Sequence, residues 1–242
     1  MYQIKDKIIL ITGGNKGIGK ATAELLAQKG ATILFTSRKP DQIPALEAEL
    51  SAKGASKVKG YVFDITNIED PVSLTEEIIS EFGRIDVLIN NAGIGLFKNI
   101  VEMSIDQWQD VINTNLTGLF HLTKLVLPSM ISQKGGHIVN VGSLASRNTF
   151  PGGGAYCASK FGLLGFSECL MLDVRQHNIK VSIIMPGSVN TPFHDQPVVD
   201  DEETWKLTAT DVAEAIYDVI NTRSGHLMSR VELRPLLPAS KG

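Results

Sequence analysis

The sequence predicts an α/β fold, a doubly wound and mainly parallel β-sheet with helices on both faces. Short apolar, β-branched segments alternate with longer amphipathic segments along the whole chain. A glycine-rich turn joins the first apolar segment to the first amphipathic one. No linker rich in proline, glycine or serine breaks the alternation, and no internal repeat is present. We therefore expect residues 1–242 to form one domain, with a cofactor half over about 1–140 and a catalytic and substrate half over about 141–242.

The predicted strands are short runs of the apolar type that a parallel sheet buries on both faces. In chain order they are 7–12, 32–36, 58–63, 85–90, 137–141, 180–185 and 226–233. The predicted helices have apolar residues three and four positions apart, and Gly30 and Gly54 follow the first two as stop signals. These helices are 18–29, 44–53, 71–82, 105–130, 156–176 and 211–221.

Helices 105–130 and 156–176 carry apolar side chains in nearly every direction, as at Leu119 and Phe120 in the first and Phe161 and Leu164 in the second. A helix that is apolar all round is buried on more than one side. Either a deeper core or a subunit interface accounts for this pattern. We expect a homodimer or homotetramer that forms through these two helices.

Composition excludes several classes of function. The net charge of −3 gives no electrostatic support for nucleic-acid binding. No apolar run approaches the length of a membrane span, and the amino terminus lacks the features of a signal peptide. Cys157 and Cys169 fall in one predicted helix, about 18 Å apart, beyond disulfide reach. We expect reduced thiols in a cytoplasmic protein, and no metal site, because the histidines show no ligand spacing.

The glycine-rich turn between the first strand and the first helix reads Thr-Gly-Gly-Asn-Lys-Gly-Ile-Gly. A helix amino terminus offers unpaired N–H groups and a positive dipole end, and glycines let the backbone approach a pyrophosphate. The turn therefore predicts a nucleotide-binding site. Its predicted cofactor-binding residues are Gly13, Asn15, Lys16, Gly17, Ile18 and Gly19.

The end of the second strand predicts which nucleotide is bound. An enzyme that recognises a ribose 2′-hydroxyl has an acid there, but this chain has Ser37, Arg38 and Lys39. No carboxylate repels a 2′-phosphate, and the Arg38 guanidinium can hold one through two hydrogen bonds. Lys16 adds a second cation. We expect NADP(H) rather than NAD(H), with solvated loop charges as the alternative interpretation.

Four residues form a candidate catalytic group. Tyr156 and Lys160 lie four positions apart on one helix face, where the ammonium is expected to lower the pKa of the phenol. Ser143 follows a strand at the sheet edge where ligands bind, and can donate a hydrogen bond to a substrate oxygen or simply cap a turn. Asn115 lies among apolar residues, as a structural amide or as the site of a water relay.

Taken together, these motifs resemble the short-chain dehydrogenase/reductase family of about 250 residues. The resemblance covers nearly the whole chain and adds the run Asn90-Asn91-Ala92-Gly93. Its motif residues are Gly13, Gly17, Gly19, Asp64, Asn91, Ala92, Gly93, Asn115, Ser143, Tyr156, Lys160, Pro186, Gly187 and Thr191. Ile65 and Val189, beside these motifs, complete the expected cofactor site.

The resemblance implies a role for each site residue. It implies that Tyr156 is the general acid/base and that Ser143 holds the substrate carbonyl. Lys160 would bind the nicotinamide ribose, and Asn115 would order a water of a proton relay. It assigns the adenine to Asp64, the adenine ribose to Asn91, and the nicotinamide to residues 186–191.

The expected activity is reduction of a ketone or aldehyde with NADPH, or the reverse oxidation of an alcohol. Apolar residues predict an apolar substrate pocket, under an acidic lid over 192–207; they are Leu96, Phe97, Leu144, Phe150, Val189 and Phe193. One alternative is β-ketoacyl-acyl-carrier-protein reductase, although such enzymes usually end in a glycine-rich tail that 228–235 lacks. The other alternative is an NADP(H)-binding sensor without turnover.

Overall fold

A computed structural model describes residues 4–193, 198–200 and 205–237. Its seven strands form one sheet in the order β3-β2-β1-β4-β5-β6-β7, and every neighbouring pair is parallel. The strands are β1 Ile8–Ile11, β2 Thr32–Ser37, β3 Lys57–Val62, β4 Val87–Asn90, β5 Gly136–Val141, β6 Ile179–Pro186 and β7 Arg230–Leu233. The predicted doubly wound α/β class, of the Rossmann type, is confirmed.

Helices cover both faces of this sheet. They are α1 Gly17–Gln28, α2 Ile43–Ala52, α3 Asp70–Phe82, α4 Ile105–Ile112, α5 Gly118–Ser132, α6 Gly154–Val174 and α7 Ala209–Ile220. Across the described ranges, no helix is both long enough and apolar enough to cross a lipid bilayer. The acidic lid predicted over 192–207 lies partly outside the described residues, which do not include 194–197 and 201–204.

Two predicted elements need correction. The single helix expected over 105–130 is interrupted by a π-helical turn, Asn113–Thr117, which separates α4 from α5. The final strand begins at Arg230 rather than at residue 226, because pairing with β6 starts only there. A hydrophobic pattern records which residues are apolar, but it does not register one widened turn or the first paired residue of an edge strand.

The core has two layers because neighbouring strand residues point to opposite faces. In β1, Ile9 and Ile11 belong to the layer under α1, α2 and α7. Ile8 and Leu10 belong to the layer under α3, α5 and α6. Strand β1 is therefore apolar throughout, as a strand covered on both faces favours.

The sheet order also locates a binding site. The chain builds outward from β1 to β3 and then crosses back to β4 on the other side of β1. The carboxyl ends of β1 and β4 thus flank the point where the strand order reverses, and ligands of open α/β sheets bind in the crevice outside such a point.

Candidate active site

A cavity of about 720 Å³ lies at this carboxyl edge. That volume suits a cofactor or a substrate of moderate size. Nearly all the residues predicted for the site line it, namely Gly13, Asn15, Lys16, Gly17, Ile18, Ser37, Arg38, Asp64, Ile65, Asn91, Ala92, Gly93, Ser143, Tyr156, Lys160, Pro186, Gly187, Val189 and Thr191. Gly19 and Asn115 do not line the cavity, but each contacts residues that line it.

The glycine turn fits a dinucleotide. Gly13 and Gly17 have φ angles of +63° and +53°, in the left-handed region that favours glycine. A Cβ on Gly19 would lie 2.3 Å from the Gly13 carbonyl oxygen, so this position supports close packing of α1 rather than contact with a ligand. Within the described residues, no side chain caps α1 and its first turn contains no acid. The amino-terminal dipole of α1 therefore remains suited to a pyrophosphate.

Thr12, which the sequence analysis did not single out, holds the turn in place. Its Oγ1 accepts hydrogen bonds from the Asn91 and Ala92 backbone N–H groups, at 3.0 and 2.9 Å. The Asn91 amide in turn donates to the Thr12 and Gly13 carbonyl oxygens, at 2.9 and 3.1 Å. The Asn91 amide nitrogen, expected at the adenine ribose, thus binds the turn itself. The available signal in the sequence was a hydroxyl residue directly after the apolar run 8–11 and before the first glycine of the turn.

The far end of the cavity, beyond β2, is basic. Arg38 follows β2 directly, and its neighbours along the chain, Ser37 and Lys39, are not acidic. Burial would raise the pKa of Asp64, but hydrogen bonds from Thr66 and the charge of Arg38 outweigh it, so the pKa of Asp64 is lowered. Lys16 donates from Nζ to the Pro192 carbonyl oxygen at 3.4 Å. This end therefore offers cations where a 2′-phosphate would lie.

The catalytic candidates converge where β5 ends and α6 begins. Tyr156 and Lys160 lie in the first turns of α6 and are 8% and 6% exposed. The Lys160 Nζ donates to the Val141 carbonyl oxygen at 2.9 Å and lies 5.8 Å from the centroid of the Tyr156 ring. Ser143 lies close enough to Tyr156 for its hydroxyl to favour the ionised form of the phenol and oppose a rise in its pKa. Its Oγ also accepts from the Ala145 N–H at 3.1 Å, so the serine caps a turn and belongs to the site at once.

The pKa values differ from the sequence-based expectation. Burial raises the pKa of Tyr156, and the neighbouring Ser143 hydroxyl opposes only part of that effect. Burial also lowers the pKa of Lys160 to about 8. The predicted lowering of the tyrosine pKa by Lys160 is therefore wrong for this structure. Spacing along a helix predicts that two groups are neighbours, but it does not predict how far both are removed from water.

Asn115 lies in the π-helical turn, where its side chain is fully engaged. Its Oδ1 accepts from the Ile94 N–H at 2.8 Å, and its Nδ2 donates to the Ile94 carbonyl oxygen at 2.9 Å. The same nitrogen donates to the Ser159 Oγ at 3.1 Å, and Ser159 donates to the Tyr156 carbonyl oxygen at 2.7 Å. Asn115 thus joins the loop after β4 to the first turn of α6.

Apolar and aromatic side chains line the cavity around Tyr156. They include Phe97, Leu144, Phe150, Val189 and Phe193, as expected. Leu96 does not line the cavity, because the neighbouring Phe97 takes that place in the loop. Among the polar lining residues that were not predicted are three that lie in loops, namely Asn148, Thr149 and Lys206. These lie in loops without a recognisable motif, so nothing in the sequence pointed to them.

Comparison with known proteins agrees with this architecture. The short chain dehydrogenase family model matches residues 7–202. The 3-oxoacyl-acyl-carrier-protein reductase FabG of Haemophilus influenzae is 35% identical over 233 residues, which is 93% of this chain and 94% of that protein. The Thermotoga maritima FabG is 38% identical, over 80% of this chain and 78% of its own.

Solved structures show the same likeness. A metagenomic short-chain oxidoreductase in complex with NADP aligns with a TM-score of 0.86 and 29% identity, over 98% of this chain and all of that one. An alcohol dehydrogenase of Thermococcus sibiricus, complexed with 5-hydroxy-NADP, gives a TM-score of 0.91 and 25% identity, with 98% and 100% covered.

Three features define this protein as an oxidoreductase of the Rossmann type: the parallel sheet, the glycine turn, and the group formed by Ser143, Tyr156 and Lys160. Within that class, the match to the family model over most of the sequence is specific. The chain belongs to the short-chain dehydrogenase/reductase family.

Proposed function

We propose that the protein reduces a ketone or aldehyde with NADPH, or catalyses the reverse oxidation. The observation that carries this proposal is the buried Tyr156, with the Ser143 hydroxyl and Lys160 beside it, in a cavity whose other end contains Arg38. This arrangement puts a proton donor and a hydrogen-bonding hydroxyl next to a dinucleotide-shaped site. Each group at the site is chemically competent for turnover, which argues against a sensor that only binds the nucleotide.

Each residue of the group has a distinct proposed task. Ser143 orients the carbonyl oxygen through its hydroxyl, and Tyr156 donates the proton to that oxygen. Tyr156 carries its proton at neutral pH and can donate it, and the positive charge of Lys160 would offset the weaker acidity that the raised pKa brings. Lys160 would hold the nicotinamide ribose and supply positive charge near the phenol. Asn115 keeps the loop after β4 in register with α6 and is the proposed position of a proton-relay water.

The residues of the cavity fit NADP(H). The proposed cofactor residues run from the glycine turn, through Asp64 and Asn91, to the segment 186–191. Arg38 and Lys16 would hold the 2′-phosphate. When bound, NADPH supplies a hydride to the carbonyl carbon. The NADP complexes of two similar solved structures support this choice of cofactor.

A second candidate activity is reduction of a β-ketoacyl thioester on acyl carrier protein. The names and the 35–38% identity of the FabG relatives support it. The ending of this chain, where β7 is followed by Arg234 and Pro235 rather than a glycine-rich tail, favours a different carbonyl substrate.

We test the proposal by following NADPH oxidation with a panel of ketones, aldehydes and acetoacetyl thioesters. Turnover of a simple ketone or aldehyde in preference to the thioester supports the first candidate. Preference for the thioester supports the second. Binding of NADPH without oxidation of it by any carbonyl compound would contradict both and favour the sensor.

We also propose that the protein acts as a homodimer or homotetramer, as one cytoplasmic domain that spans residues 1–242. Large apolar side chains on α5 and α6 remain exposed to solvent in the monomer. Phe120, Phe161 and Leu172 are 47%, 43% and 59% exposed. A second copy that covers this surface would remove these side chains from water. The continuous sheet from β3 to β7 supports treating the two halves as one domain.

A further inference from the structure

Three phenylalanine rings lie in a row beside the catalytic tyrosine. The Phe97 ring lies edge-on to the Tyr156 ring, with centroids 5.4 Å apart and planes at 86°. The Phe150 ring continues the row, 5.3 Å from Phe97 at 79°. The Phe193 ring lies 6.0 Å from Tyr156. We call Phe97, Phe150 and Phe193 the aromatic wall.

The loops that carry the aromatic wall are tied together. The Lys98 backbone N–H donates to the Gly152 carbonyl oxygen at 2.8 Å, which joins the loop of Phe97 to the loop of Phe150. At its start, the loop of Phe97 is fixed by two hydrogen bonds between Ile94 and the Asn115 side chain. The position of the rings is thus set before any substrate arrives, which lowers the entropy cost of binding.

Gly95 makes room for the third ring. A Cβ at this position would lie 2.5 Å from the Cε1 of Phe193 and 3.3 Å from the Cζ of Phe97. Any side chain here would therefore push Phe193 away from Tyr156. The φ angle of Gly95 is not positive, so its backbone does not require glycine. The missing side chain instead allows Phe193 and Phe97 to approach each other.

The aromatic wall is partly uncovered. Phe97 and Phe150 are each 40% exposed, and all three rings line the cavity. Large exposed apolar surface inside a cavity is a place where a ligand binds. Pairs of aromatic rings prefer edge-to-face or offset contact, and such a pair is more favourable than the apolar area it buries would give alone.

We propose that the aromatic wall determines substrate specificity, and that the substrate is an aryl ketone or aryl aldehyde. Its ring would pack on Phe97 and its carbonyl oxygen would reach Tyr156 and Ser143. This inference rests on the proposed carbonyl reduction, in which a hydride adds to the carbonyl carbon, a proton adds to its oxygen and NADPH is oxidised.

The test compares two ketones of equal carbon number, acetophenone and cyclohexyl methyl ketone, with NADPH. Intrinsic reactivity differs between them, but it cancels when the ratio of their kcat/KM values in a variant is divided by that in the wild type. We expect Phe97→Leu, which keeps apolar volume and loses the ring, to lower this ratio by about three- to tenfold.

Gly95→Ala should lower the same ratio, because it displaces Phe193. The matched control is Gly135→Ala, at the opposite edge of the sheet, where a Cβ meets nothing closer than 3.8 Å. The control should leave the ratio unchanged. All variants should keep the wild-type dissociation constant for NADPH and the wild-type Tm, which shows that they fold.

Two outcomes would overturn this inference and leave the proposed reductase function standing, and a third would overturn both. If NADPH oxidation proceeds but Phe97→Leu and Gly95→Ala leave the ratio unchanged, the aromatic wall does not select the substrate and the inference is wrong. If the wild type prefers acetoacetyl thioester to acetophenone, the inference is also wrong, while reductase activity stands. If no carbonyl compound is reduced, the proposed function fails, and the inference fails with it.

Discussion

The ionisation of Tyr156 and Lys160 is governed by burial. Desolvation favours the neutral form of each group, so it raises the pKa of the phenol and lowers the pKa of the ammonium to about 8. At pH 7, Tyr156 is therefore protonated and Lys160 remains largely charged. A protonated phenol can give its proton to a carbonyl oxygen, as the proposed reduction requires.

At the same scale, Arg38 is predicted to set the cofactor preference. Arg38→Asp removes a guanidinium that would hold the 2′-phosphate and places a carboxylate near it. The kcat/KM ratio of NADPH to NADH should fall by at least about tenfold, since a hydrogen bond to a charged group contributes about 1.5–3 kcal/mol. Steady-state kinetics with both cofactors measures this ratio.

The control for this prediction is Arg175→Asp, the same change of charge at an exposed position after α6. It should leave the preference unaltered. An unchanged ratio in Arg38→Asp would remove Arg38 from the cofactor site.

Individual residues were predictable from sequence where a motif fixed their place in the fold. The glycine turn, Ser143, Tyr156 and Lys160 all lie where their spacing placed them. Properties that arise from three-dimensional surroundings were not predictable. The raised pKa of Tyr156 depends on burial, and the role of Gly95 depends on Phe193, nearly a hundred residues later.

At the scale of elements, the π-helical turn between α4 and α5 brings Asn115 to the site. Its side chain binds both the N–H and the carbonyl of Ile94, as a backbone segment would. Such turns are rare and recur at functional sites. The sequence indicated a long apolar helix with one misplaced amide. It did not indicate that the amide marks a break in the helix, because apolar spacing continues on both sides.

The paired strands β5 and β6 hold a buried histidine that is predicted to make stability depend on pH. His137 Nε2 lies 2.8 Å from the Ser182 Oγ, which itself donates to the Met228 carbonyl oxygen at 2.7 Å. Because the Ser182 hydroxyl already donates its proton to Met228, the Nε2 of His137 carries a proton and donates it to the Ser182 Oγ. Burial, with a smaller effect of the Lys180 charge, lowers the pKa of His137 to about 3.

The direction in which the free energy of unfolding changes with pH follows from proton uptake by the unfolded chain. Between pH 6.5 and about 3, the unfolded chain protonates this histidine and the folded protein does not. The free energy of unfolding from this group should therefore decrease by about 1.4 kcal/mol for each pH unit below 6.5. Urea unfolding at pH 7, 5.5 and 4.5 measures it. His137→Gln, which keeps a donor for Ser182, should show a smaller decrease, and equal decreases in both proteins would contradict the assignment.

At the scale of the whole molecule, the strand order gathers the site. Residues from the ends of β1, β2, β4, β5 and β6 meet in one cavity because all these strands are parallel. The class of fold and the edge of the site were predictable from the alternation of strands and helices. The shape of the substrate end was not, since it depends on loops whose sequences carry no periodic signal.

Assembly is the prediction that belongs to the complete protein. We expect light scattering at micromolar concentration to give a multiple of the 26.2 kDa chain mass. Replacing Phe120 and Phe161 together by Glu should shift the mass to that of a monomer, since charged side chains would be buried in the interface. The paired exchange of Leu236 and Leu237 for Glu, which are 97% and 71% exposed and lie after β7 rather than on α5 or α6, serves as the control. A monomeric wild type would contradict the proposed interface.

The central claim is that Tyr156 supplies the proton for NADPH-dependent carbonyl reduction. It is tested most directly by comparing kcat for acetophenone, or for the best ketone of the panel, between the wild type and Tyr156→Phe. The dissociation constant of NADPH is measured for both. Loss of the hydroxyl should lower kcat by at least about 100-fold, while the dissociation constant changes by no more than about fivefold, since a single neutral hydrogen bond contributes about 1 kcal/mol. A phenylalanine variant that binds NADPH and retains wild-type kcat would contradict the account.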